Sequence, residues 1–176
     1  MMQRILCPTD LTEDSKDGVA YALRLARENR AQLMIFHATS FPTLYRYPGE
    51  LAPDYRWERL VSEFKMAQIL ANAERRVRNF IEASFRVEIG DIAWQPKVAL
   101  GKMSEEIVAA ALQDEIDLIV MARRKQGPLA RILSGRGPEA VIRSAPCPVL
   151  SVDTKQDIYP ARAWRLPLLK EIFQSS

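Results

Sequence analysis

The chain is poor in the side chains that most often carry chemistry. Its 176 residues include only two cysteines and one histidine. Two thiols cannot brace a disulfide scaffold. One histidine, His37, leaves no Ser-His-Asp set, no evident Cys-His pair and no histidine cluster for a metal. No apolar run approaches the roughly 20 residues that a membrane span needs. Met1-Met2-Gln3-Arg4 leads straight into a short apolar run, so no signal peptide is read there. The net charge of +3, from 25 basic and 22 acidic residues, is too mild to argue for nucleic acid. There is no internal repeat and no low-complexity segment. A cytoplasmic chain with reduced thiols is expected.

What is present fits an ordinary globular domain, with 48% hydrophobic and 27% charged residues. Arg4-Ile5-Leu6-Cys7-Pro8 reads as a buried first strand that ends in the turn Pro8-Thr9-Asp10. Thr12 can cap the next helix, and Glu13 and Asp14 suit the positive end of its dipole. Val19, Ala22, Leu23 and Ala26 then recur at helical spacing. Ala31 to Ala38 is a second strand, almost without alternation, as expected where both faces are covered. Thr39 to Arg56 is rich in proline and aromatics and reads as an irregular insertion.

A long helix is expected from about Trp57 to Ala83. Its apolar face would run through Trp57, Leu60, Val61, Phe64, Ala67, Leu70, Ala71, Val77, Phe80 and Ile81. Trp94 to Leu100 is a third strand. The turn Gly101-Lys102 opens a helix carrying Ile107, Val108, Ala111 and Leu112. Leu118 to Ala122 is a fourth strand, and Val149 to Val152 a fifth. Between them Pro138 suits a first helical position, where a missing N–H does no harm. Apolar strands alternating with amphipathic helices predict an α/β fold with a doubly wound parallel sheet. Residues 1–152 form that domain. Residues 153–176 are a C-terminal extension, either a tail packed on its own domain or an arm reaching onto a second subunit, in which Trp164, Leu168 and Ile172, four apart, can mark a short helix.

In such a sheet, ligands bind beyond the carboxyl ends of the strands, where the strand order switches. Thr9-Asp10, His37-Ala38 and Met121-Ala122 fall at strand ends. Asp10 can accept hydrogen bonds from an amine or a ribose, or it can simply close an Asx turn. Between Arg123 and Arg136 lie Arg123, Arg124, Lys125, Arg131 and Arg136 with no acid among them. Such a run is either a solvated face or an anion-facing loop.

Four separated stretches in the right order carry a resemblance. They are Ile5-Leu6-Cys7-Pro8-Thr9-Asp10, Gly101-x-x-Ser104-Glu105-Glu106-Ile107, Asp117-Leu118-Ile119-Val120-Met121 and Ala145-Pro146-Cys147-Pro148-Val149-Leu150. Together they resemble the universal stress protein family from about Gln3 to Val152. That resemblance implies a five-stranded parallel sheet in the order 3-2-1-4-5, in an adenine nucleotide alpha hydrolase-like three-layer sandwich. It also implies a homodimer, commonly along the fifth strands, and a cytoplasmic stress-response role with regulatory protein partners. Some members bind ATP or AMP and others bind no nucleotide.

The nucleotide-binding branch carries Gly-x2-Gly-x9-Gly-Ser/Thr after strand four. In the register set by Met121 and by Leu129-x-Arg131-Ile132-Leu133-x-Gly135, those positions are Ala122, Lys125, Gly135 and Arg136. One glycine of three remains, and the hydroxyl is gone. Glycines there let the backbone take positive φ and approach phosphate oxygens. Lys125 and Arg136 either fill the phosphate position or hold phosphates from outside. By resemblance an adenine would meet Asp10 and the backbone near Ala38, with Thr9 counted among the site residues. The ribose and phosphates would lie near Met121, Ala122 and Lys125, with Gly135, Arg136 and Gly137 around the tail. Pro138 has no N–H to add.

Other signals are weaker. Lys102-Met103-Ser104 matches three residues of an aminoacyl-tRNA synthetase loop, with no partner motif in the chain. His37 ends a strand and reads as a core or boundary residue. Cys7 and Cys147 read as small hydrophobes. Glu105 and Glu106 sit at a helix start, where the dipole accounts for them. No catalytic constellation and no metal site are expected. The chain reads as a binding and signalling protein rather than an enzyme. The alternative is a member that binds ATP and hydrolyses it slowly or phosphorylates itself.

Overall fold

The structure is a computed structural model. It describes residues 2–39, 55–122, 138–152 and 158–160, with the backbone alone described for 55–62, 138 and 158–160. The strands are β1 (Arg4–Pro8), β2 (Gln32–Thr39), β3 (Trp94–Leu100), β4 (Leu118–Ala122), β5 (Val149–Val152) and β6 (Ile158–Pro160). The helices are α1 (Lys16–Asn29), α2 (Tyr55–Ile89), α3 (Met103–Gln113) and α4 (Pro138–Ser144), and a 3₁₀ turn (Glu13–Ser15) precedes α1. The sheet order is β3-β2-β1-β4-β5-β6. Strands β1 to β5 are all parallel, in the expected order 3-2-1-4-5, and β6 joins β5 antiparallel.

Strand periodicity sorts the core into two layers of side chains. Ile5, Cys7, Leu33, Ile35, Val120 and Leu150 pack under α1 and α2, against Val19, Leu23, Val77 and Ile81. The neighbouring positions Leu6, Met34, Phe36, Ile119, Met121 and Val149 face the other way, onto Ile107, Ala111 and Val141 of α3 and α4. The continuous apolar runs in the sequence follow from this, since a strand covered on both faces has no polar side to show.

Two expectations need correction. The helix after the insertion is longer than the sequence suggests, and it bends at Phe85 (φ −137°, ψ 25°). Its buried stripe is Ala73, Val77, Ile81 and Phe85, whereas Phe64 is 65% exposed and Ala67 and Ala71 are also exposed. Phe64, Ala67 and Ala71 of the expected apolar face are therefore not core, and the side chains of Trp57, Leu60 and Val61 lie outside the described residues. In α3, Leu112 is 62% exposed, and Ile107, Ala110 and Ala111 carry the packing instead. In the extension, a short antiparallel strand, β6, stands ahead of the stretch where the helix is expected. The expected helix around Trp164 to Ile172 lies outside the described residues.

Candidate functional site

The strand order reverses between β1 and β4, so the switch point lies between their carboxyl ends. The β1–β4 register pairs Ile5 with Leu118 and Leu6 with Ile119 and stops there, whereas β1 and β2 pair through Pro8. Pro8 accounts for the difference. The Thr9 N–H bonds Phe36 O at 2.8 Å on the β2 side. By strand alternation the Pro8 nitrogen then faces β4, where it has no hydrogen to give. The sheet thus parts just where a ligand would enter.

Thr9, 2% exposed, anchors the turn beyond β1. Ser15 Oγ donates to Thr12 O at 2.8 Å, because a carbonyl oxygen can only accept. Thr9 Oγ1 must therefore donate to Ser15 Oγ, at 2.8 Å, and it accepts the Leu11 N–H at 3.0 Å. The result is one directed chain of hydrogen bonds, each polarising the next. It holds Leu11 in the left-handed region at φ 62°, which a branched residue rarely adopts unaided.

Thr9 O is also committed. His37 Nδ1 donates to it at 2.9 Å, which places the lone pair of the neutral ring on Nε2. His37 is buried, as expected for a boundary residue, and its bond ties the carboxyl ends of β1 and β2 together.

Asp10 closes an Asx turn. Its Oδ1 accepts the Thr12 N–H at 3.1 Å and the Thr12 hydroxyl at 2.5 Å. This corrects the expected role of Thr12. Although it stands at the cap position, it makes no side-chain cap bond, because its hydroxyl serves Asp10.

Met121 is buried against the α3 and α4 layer, and Ala122 is half-buried at the mouth of the site. Ala38 is half-buried on β2 and pairs with Ala99 of β3. The structure therefore brings Thr9, Asp10, Ala38, Met121 and Ala122 to one edge of the sheet. Lys125, Gly135, Arg136 and Gly137 lie outside the described residues. A surface groove lined by Gln68, Ala71, Asn72, Glu74, Arg75 and Arg78 of α2 contains none of these positions.

Sequence reasoning missed Ser15, Leu11 and Gly18. No motif marks the hydroxyl chain, since its members meet only after the turn has formed. Burial pushes the Cys7 thiol up to about 12, and burial together with the nearby Asp117 charge pushes Cys147 up to about 11. Both stay protonated at neutral pH, as small apolar groups would. Among the described residues, no group of three His, Cys, Asp or Glu is placed to hold a metal ion. No described helix is long and apolar enough to cross a membrane.

A family model described as the universal stress protein family matches residues 1–153. A universal stress protein of Thermus aquaticus is 29% identical over 152 residues, covering 86% of this chain and 99% of that protein. Among solved structures, UspA from Lactobacillus plantarum is 20% identical, covers 85% of this chain and 97% of its own, and has a TM-score of 0.57. A universal stress protein in complex with cAMP is 21% identical, covers 87% and 98%, and has a TM-score of 0.55. These two structures share the fold. The match over residues 1–153 goes further than fold and shows that the chain belongs to the universal stress protein family.

Proposed function

We propose that this chain is a stress-response protein that works by binding and signalling, and that its nucleotide site has lost the usual family manner of holding ATP. The observation that carries this reading is the composition of the loop after β4. Of three glycine positions only Gly135 is kept, and Lys125 and Arg136 stand where small groups are expected. A loop crowded by cationic side chains gives its backbone little room to wrap phosphate oxygens. The tight packing of Ala122 against α1 supports the same reading, because it leaves the loop's first residue little freedom to shift. We read the protein as non-enzymatic, with signalling through a homodimer and regulatory protein partners in the cytoplasm. No membrane or nucleic acid takes part.

A second reading is favoured by the opening of the sheet at Pro8 and by the presence of Asp10 beside it. In it, the site takes ATP or AMP, and ATP is hydrolysed slowly or used for autophosphorylation. That a neighbour of this fold was crystallised with cAMP lends it support. Thermal unfolding with and without ATP and Mg²⁺, together with analysis of the denatured supernatant for adenylate, separates the two. A ligand at 100 times its Kd adds about 2.7 kcal/mol to stability. No shift at millimolar ATP and no co-purified adenylate support the first reading. A shift abolished by Asp10→Ala supports the second.

A further inference from the structure

We propose that β6 is an edge cap, acting within the chain, that keeps β5 from pairing with a second copy of this protein. Parallel sheets end in strands whose outer N–H and C=O groups are unpaired, and such edges invite another strand. Two copies related by a two-fold axis share an edge antiparallel. That is the sense in which β6 lies on β5, pairing Leu150 with Pro160, Ser151 with Tyr159 and Val152 with Ile158. The edge that a second copy would use is already occupied from within. Five residues, 153–157, separate the two strands. Both strands belong to one chain, so the pairing forms without help from another subunit.

The direction of each backbone group makes the cap one-sided. Ile119 N–H bonds Pro148 O at 3.0 Å, so the groups of residues 148, 150 and 152 face β4 and those of Ser151 face β6. Ser151 and Tyr159 then exchange the hydrogen bonds of the pair, while the groups of Ile158 and Pro160 face outward. The Pro160 nitrogen has no hydrogen to offer there. The β6 edge is thus short, and Ile158 supplies its one outward N–H among the described residues.

The opposite edge is built the same way. Leu33 N–H bonds Ala93 O at 2.9 Å, so residues 93, 95 and 97 face β2 and Pro96 faces outward on β3. Each outer strand of the sheet thus carries a proline whose nitrogen faces away from its neighbour. This inference is independent of nucleotide binding. It directs any homodimer of the full chain to a surface other than the β5 edge.

Two full-length variants test the cap. Tyr159→Pro removes the N–H aimed at β5, and Ile158→Pro removes one aimed at solvent. Sedimentation over a concentration series should show the mass of Tyr159→Pro rising about twofold over wild type, while Ile158→Pro stays at the wild-type value. An unchanged mass in Tyr159→Pro, or the same rise in both variants, overturns the proposal. Should Tyr159→Pro fail to fold, hydrogen exchange in the wild type decides. Protection of the Ser151 amide that is independent of protein concentration supports a cap within the chain, and protection that grows with concentration overturns it.

Discussion

Gly18 of α1 lies so close to Ala122 at the end of β4 that a methyl group added to Gly18 would stand 2.6 Å from the Ala122 nitrogen and 3.0 Å from its Cβ. Helix and strand meet backbone to backbone at the mouth of the switch point. This contact fixes where the loop after β4 begins. Gly18→Ala forces α1 and β4 apart and should cost about 1–3 kcal/mol, the usual range for overpacking. Because the nearest atom is backbone nitrogen, adding Ala122→Gly should restore less than half of the loss. Urea unfolding of the single and double variants checks both statements, and full recovery in the double variant would show that the methyl–methyl contact dominates.

The hydroxyl of Thr9 is the centre of the turn beyond β1. Thr9→Val keeps the shape but leaves the Leu11 N–H without its acceptor and Ser15 Oγ without its donor. The expected loss is about 1–3 kcal/mol, the penalty for stranding buried polar groups. Thr9→Ser, which keeps the oxygen, should lose less than half of that. Equal stability of Thr9→Val and wild type in denaturant melts would refute the directed chain of bonds.

Much of this fold was legible because covered parallel strands are written as unbroken apolar runs, such as Leu118 to Ala122. The interleaved helical spacing of Val19, Ala22, Leu23 and Ala26 supplied the alternation. The strand order itself came from the family resemblance. What escaped was short or tertiary. Ile158-Tyr159-Pro160 is too brief to show a period of two, and its proline argues against a strand unless the nitrogen faces outward. The spacing of Phe64, Ala67 and Ala71 is helical, but spacing cannot say whether a neighbour covers the face. At the site, the strand ends holding Asp10 and Ala122 were readable from the pattern. The bonds joining Thr9, Ser15 and His37 were not, because the partners meet only through the fold.

Alkaline pH should weaken the protein through its buried thiols. Cys7 is fully buried, and its thiol rises from an ordinary value of 9.0 to about 12. Between those values the unfolded chain has lost a proton that the folded chain keeps. The stabilising effect is therefore complete below pH 9.0 and fades as pH rises toward about 12. One such thiol contributes a slope of about −1.4 kcal/mol per pH unit in that window. Cys147 adds to the slope between 9.0 and about 11. Comparing wild type with Cys7→Ala in urea melts across this range isolates the Cys7 share, since the other alkaline titrations cancel in the difference. A difference in stability that stays constant with pH would mean that Cys7 titrates normally in the folded protein.

The loop after β4 yields a gain-of-function prediction, which is a harder test than any loss. If Lys125 and Arg136 occupy the phosphate position, then Lys125→Gly with Arg136→Ser reopens it and restores two of the family's small groups. The double variant should bind ATP with Mg²⁺ at least about tenfold more tightly than wild type, equivalent to about 1.4 kcal/mol. Titration calorimetry reads this directly. If the two cations instead hold phosphates from outside, the same pair of changes removes charge-assisted bonds and weakens binding. The sign of the change therefore distinguishes a filled site from a cationic one, and no change in affinity would place the loop's cations away from the phosphates altogether.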